Sequence, residues 1–137
     1  MGIDARIETE QAEPLAEIPD PRGHLAWGLS FQDDHATACL RFIDPYGNTV
    51  FNEIQLPVLL SELEAVRSRL DDRRLEAAKE QYLKRAASWP QAGTRDAQEY
   101  TASVSLADIR HHFDQVVSLV RDAVGRGPHH YVRFVGD

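Results

Sequence analysis

The feature that most constrains the fold is a long amphipathic segment near the C-terminus, residues 105–125. Ser105 and Asp108 form a Ser-x-x-acid start of the kind that caps a helix, and Gly125 is typical of a helix end. Between them, apolar residues recur with the 3.6-residue period of one helical face: Leu106, Ile109, Phe113, Val116, Val117, Val120 and Val124. A face this continuous has to be buried against another element, so we predict a core helix here.

Two further helices are predicted before this segment. Pro57 suits the first turn of a helix, and apolar residues follow it at helical spacing as far as Leu70. A second helix is expected after Asp71, ending before Pro90, whose ring cannot continue it. Residues 90–104 have no firm period, and we predict a loop there.

Strands are predicted on both sides of these helices. Residues 3–9 alternate apolar and polar side chains, which is typical of a strand with one buried face. Residues 38–43 and 49–54 flank the turn signal of residues 44–48 and predict a hairpin, and residues 130–135 predict a last strand. Because strands and helices do not alternate along the chain, we predict an α+β fold. It should have a mainly antiparallel sheet of about four strands, with two or three helices packed on one face.

We expect residues 1–137 to form a single domain, since the length suits one core and not two. Residues 10–37 contain three prolines and many carboxylates, and we predict a long acidic loop that is partly docked on the domain. Four apolar residues are expected either to dock it or to form a short strand: Leu25, Trp27, Leu29 and Phe31.

The charge of the chain restricts the partners that we expect. The formal net charge is -7, and residues 1–34 hold two arginines against eight carboxylates, a net -6. An acidic surface repels phosphate backbones and anionic lipids, so neither nucleic acid nor membrane is an expected partner. If the charge is functional, the partner is a protein with a basic surface, and an uncovered sheet edge would favour a homodimer.

The cellular location is predicted to be cytoplasmic. The start MGIDARIETE lacks the basic and apolar regions of a secretory signal, and Cys39 is the only cysteine. The chain contains neither a nucleotide-binding fingerprint nor a Gly-x-Ser-x-Gly elbow, so we predict no cofactor and interpret Cys39 as an inert, packed thiol.

A binding surface is predicted on the sheet face that points away from the helices. Arginine and tyrosine are enriched at binding hot spots, and strand alternation brings several such residues to this face. The predicted surface consists of Arg6, Arg41, His129, Tyr131 and Arg133. The competing interpretation is an ordinary solvated sheet face with ion pairs between strands.

The alternative function is that of a metal-dependent enzyme. Asp108, His111 and Asp114 recur three residues apart on the last predicted helix and therefore share one face. Carboxylates beside a helical histidine are also common on solvated surfaces, so a binding role without catalysis is the preferred hypothesis.

Two segments resemble a family of small bacterial proteins of about this length that has no assigned function. They are the hairpin sequence IDPYGNTVFN and the C-terminal YVRFVGD. The shared motifs belong to turns and strands, so the resemblance implies a fold and not an activity. In size, acidity and predicted fold the chain also looks like immunity proteins that neutralise bacterial toxins, which is an analogy without a shared motif.

Overall fold

A computed structural model describes residues 2–30 and 37–137. The strands are β1 (Ile3–Thr9), β2 (Pro14–Ile18), β3 (Asn48–Phe51) and β4 (His130–Gly136). The helices are α1 (His24–Leu29), α2 (Leu56–Arg69), α3 (Asp72–Ala86), α4 (Gln91–Ser103) and α5 (Leu106–Arg126), with a short 3-10 helix at Leu40–Phe42. The predicted α+β class is therefore confirmed.

The four strands form one antiparallel sheet in the order β2-β1-β4-β3. β4 lies beside β1, with Ala5 opposite Phe134 and Ile7 opposite Val132. These four side chains are fully buried, whereas the residues between them are less so. The period-two pattern thus gives the sheet one face that is packed on the core.

The long helix α5 packs directly on this face, against β1, β2 and β4, and α1 and α2 pack on α5. Ser105 caps α5 by accepting a hydrogen bond from the amide of Asp108, at 3.1 Å. The predicted apolar face of α5 is buried apart from Val124, and the helix runs through Gly125 to end at Gly127, whose φ is +79°. The structure describes five helices. The predicted packing of two or three of them on one sheet face stays a prediction.

The predicted loop 10–37 is wrong at residues 14–18 and 24–29, which form β2 and α1. β2 begins at Pro14 and lies at a sheet edge, where a proline that cannot donate a hydrogen bond is tolerated. Leu25 and Trp27 are buried as expected, and Leu29 packs against the core. Phe31 lies outside the described residues.

The predicted strand at residues 38–43 is also wrong, so its hairpin is too. The segment turns through the 3-10 helix, and β3 pairs with β4 instead. A carboxylate of α2 holds the turn: Glu62 accepts hydrogen bonds from the amides of Ala38, Cys39 and Leu40, the last two at 3.0 Å. These amides are therefore not available for a strand partner.

Residues 90–104 form helix α4, where a loop was predicted. Its buried side chains are Ala97 and Thr101, one turn apart, and neither is large enough to produce a visible apolar period. None of the helices described has both the length and the apolar character that a bilayer crossing requires.

Candidate ligand-binding cavity

Three residues of the predicted binding surface share one face of the sheet, since Arg6 lies opposite Arg133 and Glu8 lies opposite Tyr131. Both arginines are already paired within the sheet. Arg6 Nε donates to Glu17 at 2.8 Å, and Arg133 Nε donates to both oxygens of Glu8, at 3.0 and 2.9 Å. These ion pairs are the ones that a solvated sheet face would have, and partner binding by this face stays a prediction.

Arg41 and His129 were expected on the same face, but neither lies in a strand. Arg41 belongs to the 3-10 turn, where its guanidinium lies 4.8 Å from the ring centroid of Phe42. His129 precedes β4 in a left-handed conformation, with φ of +66°, and its Nδ1 contacts the carboxylate of Glu10. The predicted surface is therefore not one contiguous row of strand residues.

The predicted metal ligands on α5 do not converge. Asp114 accepts from Arg67 Nε at 2.8 Å, and this hydrogen bond lowers the pKa of Asp114. His111 and Asp114 line one shallow surface depression, which Asp108 does not reach. Within residues 2–30 and 37–137, the convergent set of potential ligands is a different one, formed by Asp20, His24 and His112.

Cys39 is buried, and burial raises the pKa of its thiol, with the nearby Glu62 carboxylate acting in the same direction. A raised pKa leaves less of the nucleophilic thiolate at neutral pH. This environment is that of a packed thiol, as the sequence predicts.

A cavity of about 920 Å³ lies between α1, α3 and α4. Four aromatic side chains line it: Trp27, Tyr82, Trp89 and Tyr100. Tyr82 lies at their centre, with ring centroids 5.5 to 5.8 Å from the other three. These distances are typical of tilted and edge-to-face aromatic packing.

Hydrogen bonds fix two of these rings. Trp27 Nε1 donates to the hydroxyl of Tyr100 at 2.8 Å, and that hydroxyl donates to the carbonyl of Arg22 at 2.7 Å. Burial raises the pKa of Tyr100, so the hydroxyl keeps the proton that it donates. The chain of contacts joins α4 to the start of α1 and holds the cavity wall in place.

The remaining walls combine small residues with a few charges. Glycine and alanine leave room between the helices, as at Ala77, Ala78 and Gly93. Arg74, Arg85 and Asp96 line the cavity too, so its described lining carries one excess positive charge within a protein of net -7. Among the described residues that line it there is neither a histidine nor a cysteine.

Sequence reasoning missed this cavity because Trp27 and Tyr100 lie in segments that were predicted to be loops. One signal was available: the chain has six tryptophan and tyrosine residues, and four of them line the cavity. Their separation along the chain concealed that convergence.

A second polar site lies between α1 and α5. Asp20 and His112 are 1% and 5% exposed, His24 is partly buried, and the potential ligand atoms of the three lie within 4.8 Å of one another. Burial lowers the pKa of His112, and this effect is larger than that of the Asp20 carboxylate, which acts to raise the pKa. His112 is therefore held as a neutral imidazole at neutral pH.

Comparison of the chain with protein-family models, with curated proteins and with solved structures found no match. The resemblance to a family of small bacterial proteins stays a prediction.

Proposed function

We propose that this protein is a binding module for a small organic anion with a planar, apolar body. The observation that carries the proposal is the preformed cavity between α1, α3 and α4, with four aromatic side chains and two arginines in its walls. This role differs from the predicted recognition of a basic protein. We prefer it because the sheet arginines Arg6 and Arg133 are already paired with carboxylates, whereas the cavity is open.

The dimensions of the cavity favour a small molecule. Ligand sites typically enclose about 300–1,000 Å³, are mainly apolar and aromatic, and contain a few polar groups that orient the ligand. A volume of about 920 Å³ lies within this range. Trp89 is 44% exposed although it packs edge to face on Tyr82, so part of its ring is free to contact a ligand.

The charges of the lining favour an anion. Arg85 lies 6.0 Å from the ring centroid of Tyr82, and Arg74 Nε is 3.9 Å from the Asp71 carboxylate, with both of those side chains about half exposed. Among the described residues, neither arginine has a close, buried partner of the kind that Arg133 has. A guanidinium in this position suits a carboxylate, sulfonate or phosphate group, which it can bind with two hydrogen bonds.

The absence of histidine and cysteine from the described lining supports binding without catalysis, since these are the commonest acid–base and nucleophilic groups. Cytoplasmic location and homodimer formation stay predictions.

Two fluorescent probes test the proposal. 8-Anilinonaphthalene-1-sulfonate has a planar naphthalene ring that bears an anilino group and a sulfonate, and N-phenyl-1-naphthylamine has the same rings without the charge. The only two tryptophans, Trp27 and Trp89, both line the cavity, so a bound probe should quench their emission. We expect one sulfonated probe per chain, bound about tenfold more tightly than the neutral one.

The arginines are tested by the double substitution Arg74→Gln/Arg85→Gln. It should lower the affinity for the sulfonated probe by about tenfold or more, since a charge-assisted hydrogen bond contributes about 1.5–3 kcal/mol. Binding of the neutral probe should change little. The matched control is Arg73→Gln/Arg95→Gln, which removes the same charge from exposed positions of α3 and α4 outside the cavity.

Two results would contradict the proposal. The first is a loss of affinity for the sulfonated probe in the control pair as large as the loss in the cavity pair. It would mean that the general electrostatic field of the protein governs the affinity and that Arg74 and Arg85 do not bind the probe. Ala77→Phe adds a ring at an exposed lining position, and unchanged probe affinity in this variant would mean that the probe binds elsewhere. Near-UV circular dichroism should confirm that each variant keeps its packed core, because this probe also binds partly unfolded chains.

A further inference from the structure

The buried polar site between α1 and α5 is spatially separate from the cavity. Asp20 follows β2, His24 is the first residue of α1, and His112 lies in the middle of α5. None of the three lines the cavity.

The Asp20 carboxylate is held by the backbone alone. Its Oδ2 accepts from the amides of Ile3 and Leu25, at 3.3 and 3.1 Å, and its Oδ1 accepts from the amide of His24 at 2.7 Å. A carboxylate oxygen has two lone pairs, so Oδ1 keeps one that no donor within residues 2–30 and 37–137 uses. The three amides orient the group as outer hydrogen bonds orient metal-binding carboxylates.

The imidazole of His112 points at this oxygen without bonding to it. Its Nε2 lies 3.8 Å from Asp20 Oδ1, beyond hydrogen-bond range, and is fully buried with no partner among the described residues. Buried polar atoms are nearly always paired, and an orphan needs a cause. The ring of His24, whose centroid is 5.8 Å from that of His112, adds a second imidazole to the same space.

We propose that Asp20, His24 and His112 bind a zinc ion, with one coordination position left open. Two imidazoles and a carboxylate are one of the donor sets that catalytic zinc sites use, and three protein ligands with an open position are the usual arrangement of such sites. A tetrahedral zinc ion with bonds of about 2.0–2.1 Å separates its ligand atoms by about 3.3 Å. The pair Asp20 Oδ1 and His112 Nε2 is thus about half an ångström from the required spacing.

The site would join the segment that contains α1 to α5, because its ligands come from both. Zinc would also give the orphan nitrogen of His112 its partner. The neutral imidazole that burial favours is the form that binds a metal.

The test uses the full chain purified without a histidine tag and titrated with zinc chloride by calorimetry. We expect about one equivalent of zinc per chain and a melting temperature raised by about 5 to 10 °C at zinc a hundredfold above Kd. Cobalt(II), added in place of zinc, should give the intense visible absorption of a tetrahedral site.

His24→Gln and His112→Gln should each weaken zinc binding by at least about tenfold. The matched controls are His111→Gln and His130→Gln, which remove histidines outside the convergent set and should leave the affinity unchanged. His24 is only partly buried, so its variant decides the question if His112→Gln fails to fold.

Less than about a tenth of an equivalent of bound zinc would overturn the proposal. So would an equal loss of affinity in the His111→Gln control, or full affinity in His24→Gln. In those cases the orphan nitrogen is satisfied by an ordered water molecule, and Asp20 serves only to bind the three amides.

Discussion

The contact between Gly28 and Phe113 offers a direct test of how α1 is seated on α5. A Cβ atom added at Gly28 would lie 1.9 Å from Cε2 of Phe113 and 2.4 Å from its Cζ. Carbon atoms in contact are normally about 3.5–4.0 Å apart, so the two groups would overlap by about 1.6 to 2.1 Å. The Phe113 ring is fully buried, so it is surrounded by other core atoms and cannot swing into solvent.

We therefore expect Gly28→Ala to lower the free energy of unfolding by about 2 kcal/mol. Overpacking of a core costs about 1–3 kcal/mol, and the clash is severe enough to reach the upper part of that range. The better helix propensity of alanine offsets about 0.5–1 kcal/mol of it. In a domain of this size the loss corresponds to a melting temperature lower by about 5 to 10 °C.

Urea unfolding followed by circular dichroism measures the effect. Gly125→Ala is the matched control, because Gly125 lies in α5 and a Cβ there would meet nothing within 4 Å; it should stabilise by about 0.5 kcal/mol. In the double variant Gly28→Ala/Phe113→Leu the smaller side chain should relieve the clash, with a coupling energy of about 1 kcal/mol or more. The close contact between Gly28 and Phe113 would be refuted if Gly28→Ala had wild-type stability and the effects of the two substitutions were additive.

Three further perturbations follow from the contacts described. Tyr100→Phe removes the acceptor of Trp27 Nε1, so unfolding should require about 1–2 kcal/mol less and the tryptophan emission should change. Arg133→Ala leaves the carboxylate of Glu8, which is 5% exposed, without its partner. The free energy of unfolding, measured in urea, should fall by about 2–3 kcal/mol, which is less than for a fully buried pair because Arg133 is partly exposed. The pKa of His112 is lowered in the fold, so the unfolded chain binds the proton more tightly, and stability is lost as the pH falls below the ordinary histidine pKa of about 6.5. The fall in unfolding free energy between pH 7 and pH 5 should accordingly be smaller in His112→Gln, and an unchanged fall would contradict the burial of a neutral ring.

The sequence predicts those elements whose buried faces are made of large apolar side chains. The helix at residues 106–126 and the strand at residues 3–9 were predicted nearly to the residue, because both have strong periods and α5 also has a capping serine. In α4 the buried residues are Ala97 and Thr101, whose contacts depend on the close approach of α3 and not on a hydrophobic stripe.

The remaining errors arise from contacts between distant residues. The turn at residues 40–42 depends on the Glu62 carboxylate, which is about twenty residues further along the chain. The cavity between α1, α3 and α4 likewise brings together Trp27 and Tyr100, which are 73 residues apart. Local patterns do not show which distant residues meet, so the fold class was predicted and the candidate site was not.

The two proposed sites share one short helix, and this arrangement has a thermodynamic consequence. α1 has six residues, well below the length of about 12–15 at which an isolated helix is even marginally stable, so it depends on its tertiary contacts. Trp27 contributes to the aromatic cavity and His24 to the proposed zinc site, and the two lie three residues apart on this helix.

A ligand in either site adds a contact that orders α1, so the second ligand has less ordering left to do and should bind more tightly. Because such coupling is reciprocal, zinc must raise the affinity for the sulfonated probe by the same factor by which the probe raises the affinity for zinc. Calorimetric titration of each ligand, with and without the other at saturation, measures both factors. Two affinities that are each unchanged would mean that Phe113, Asp20 and Tyr100 already hold α1 rigidly before either ligand binds.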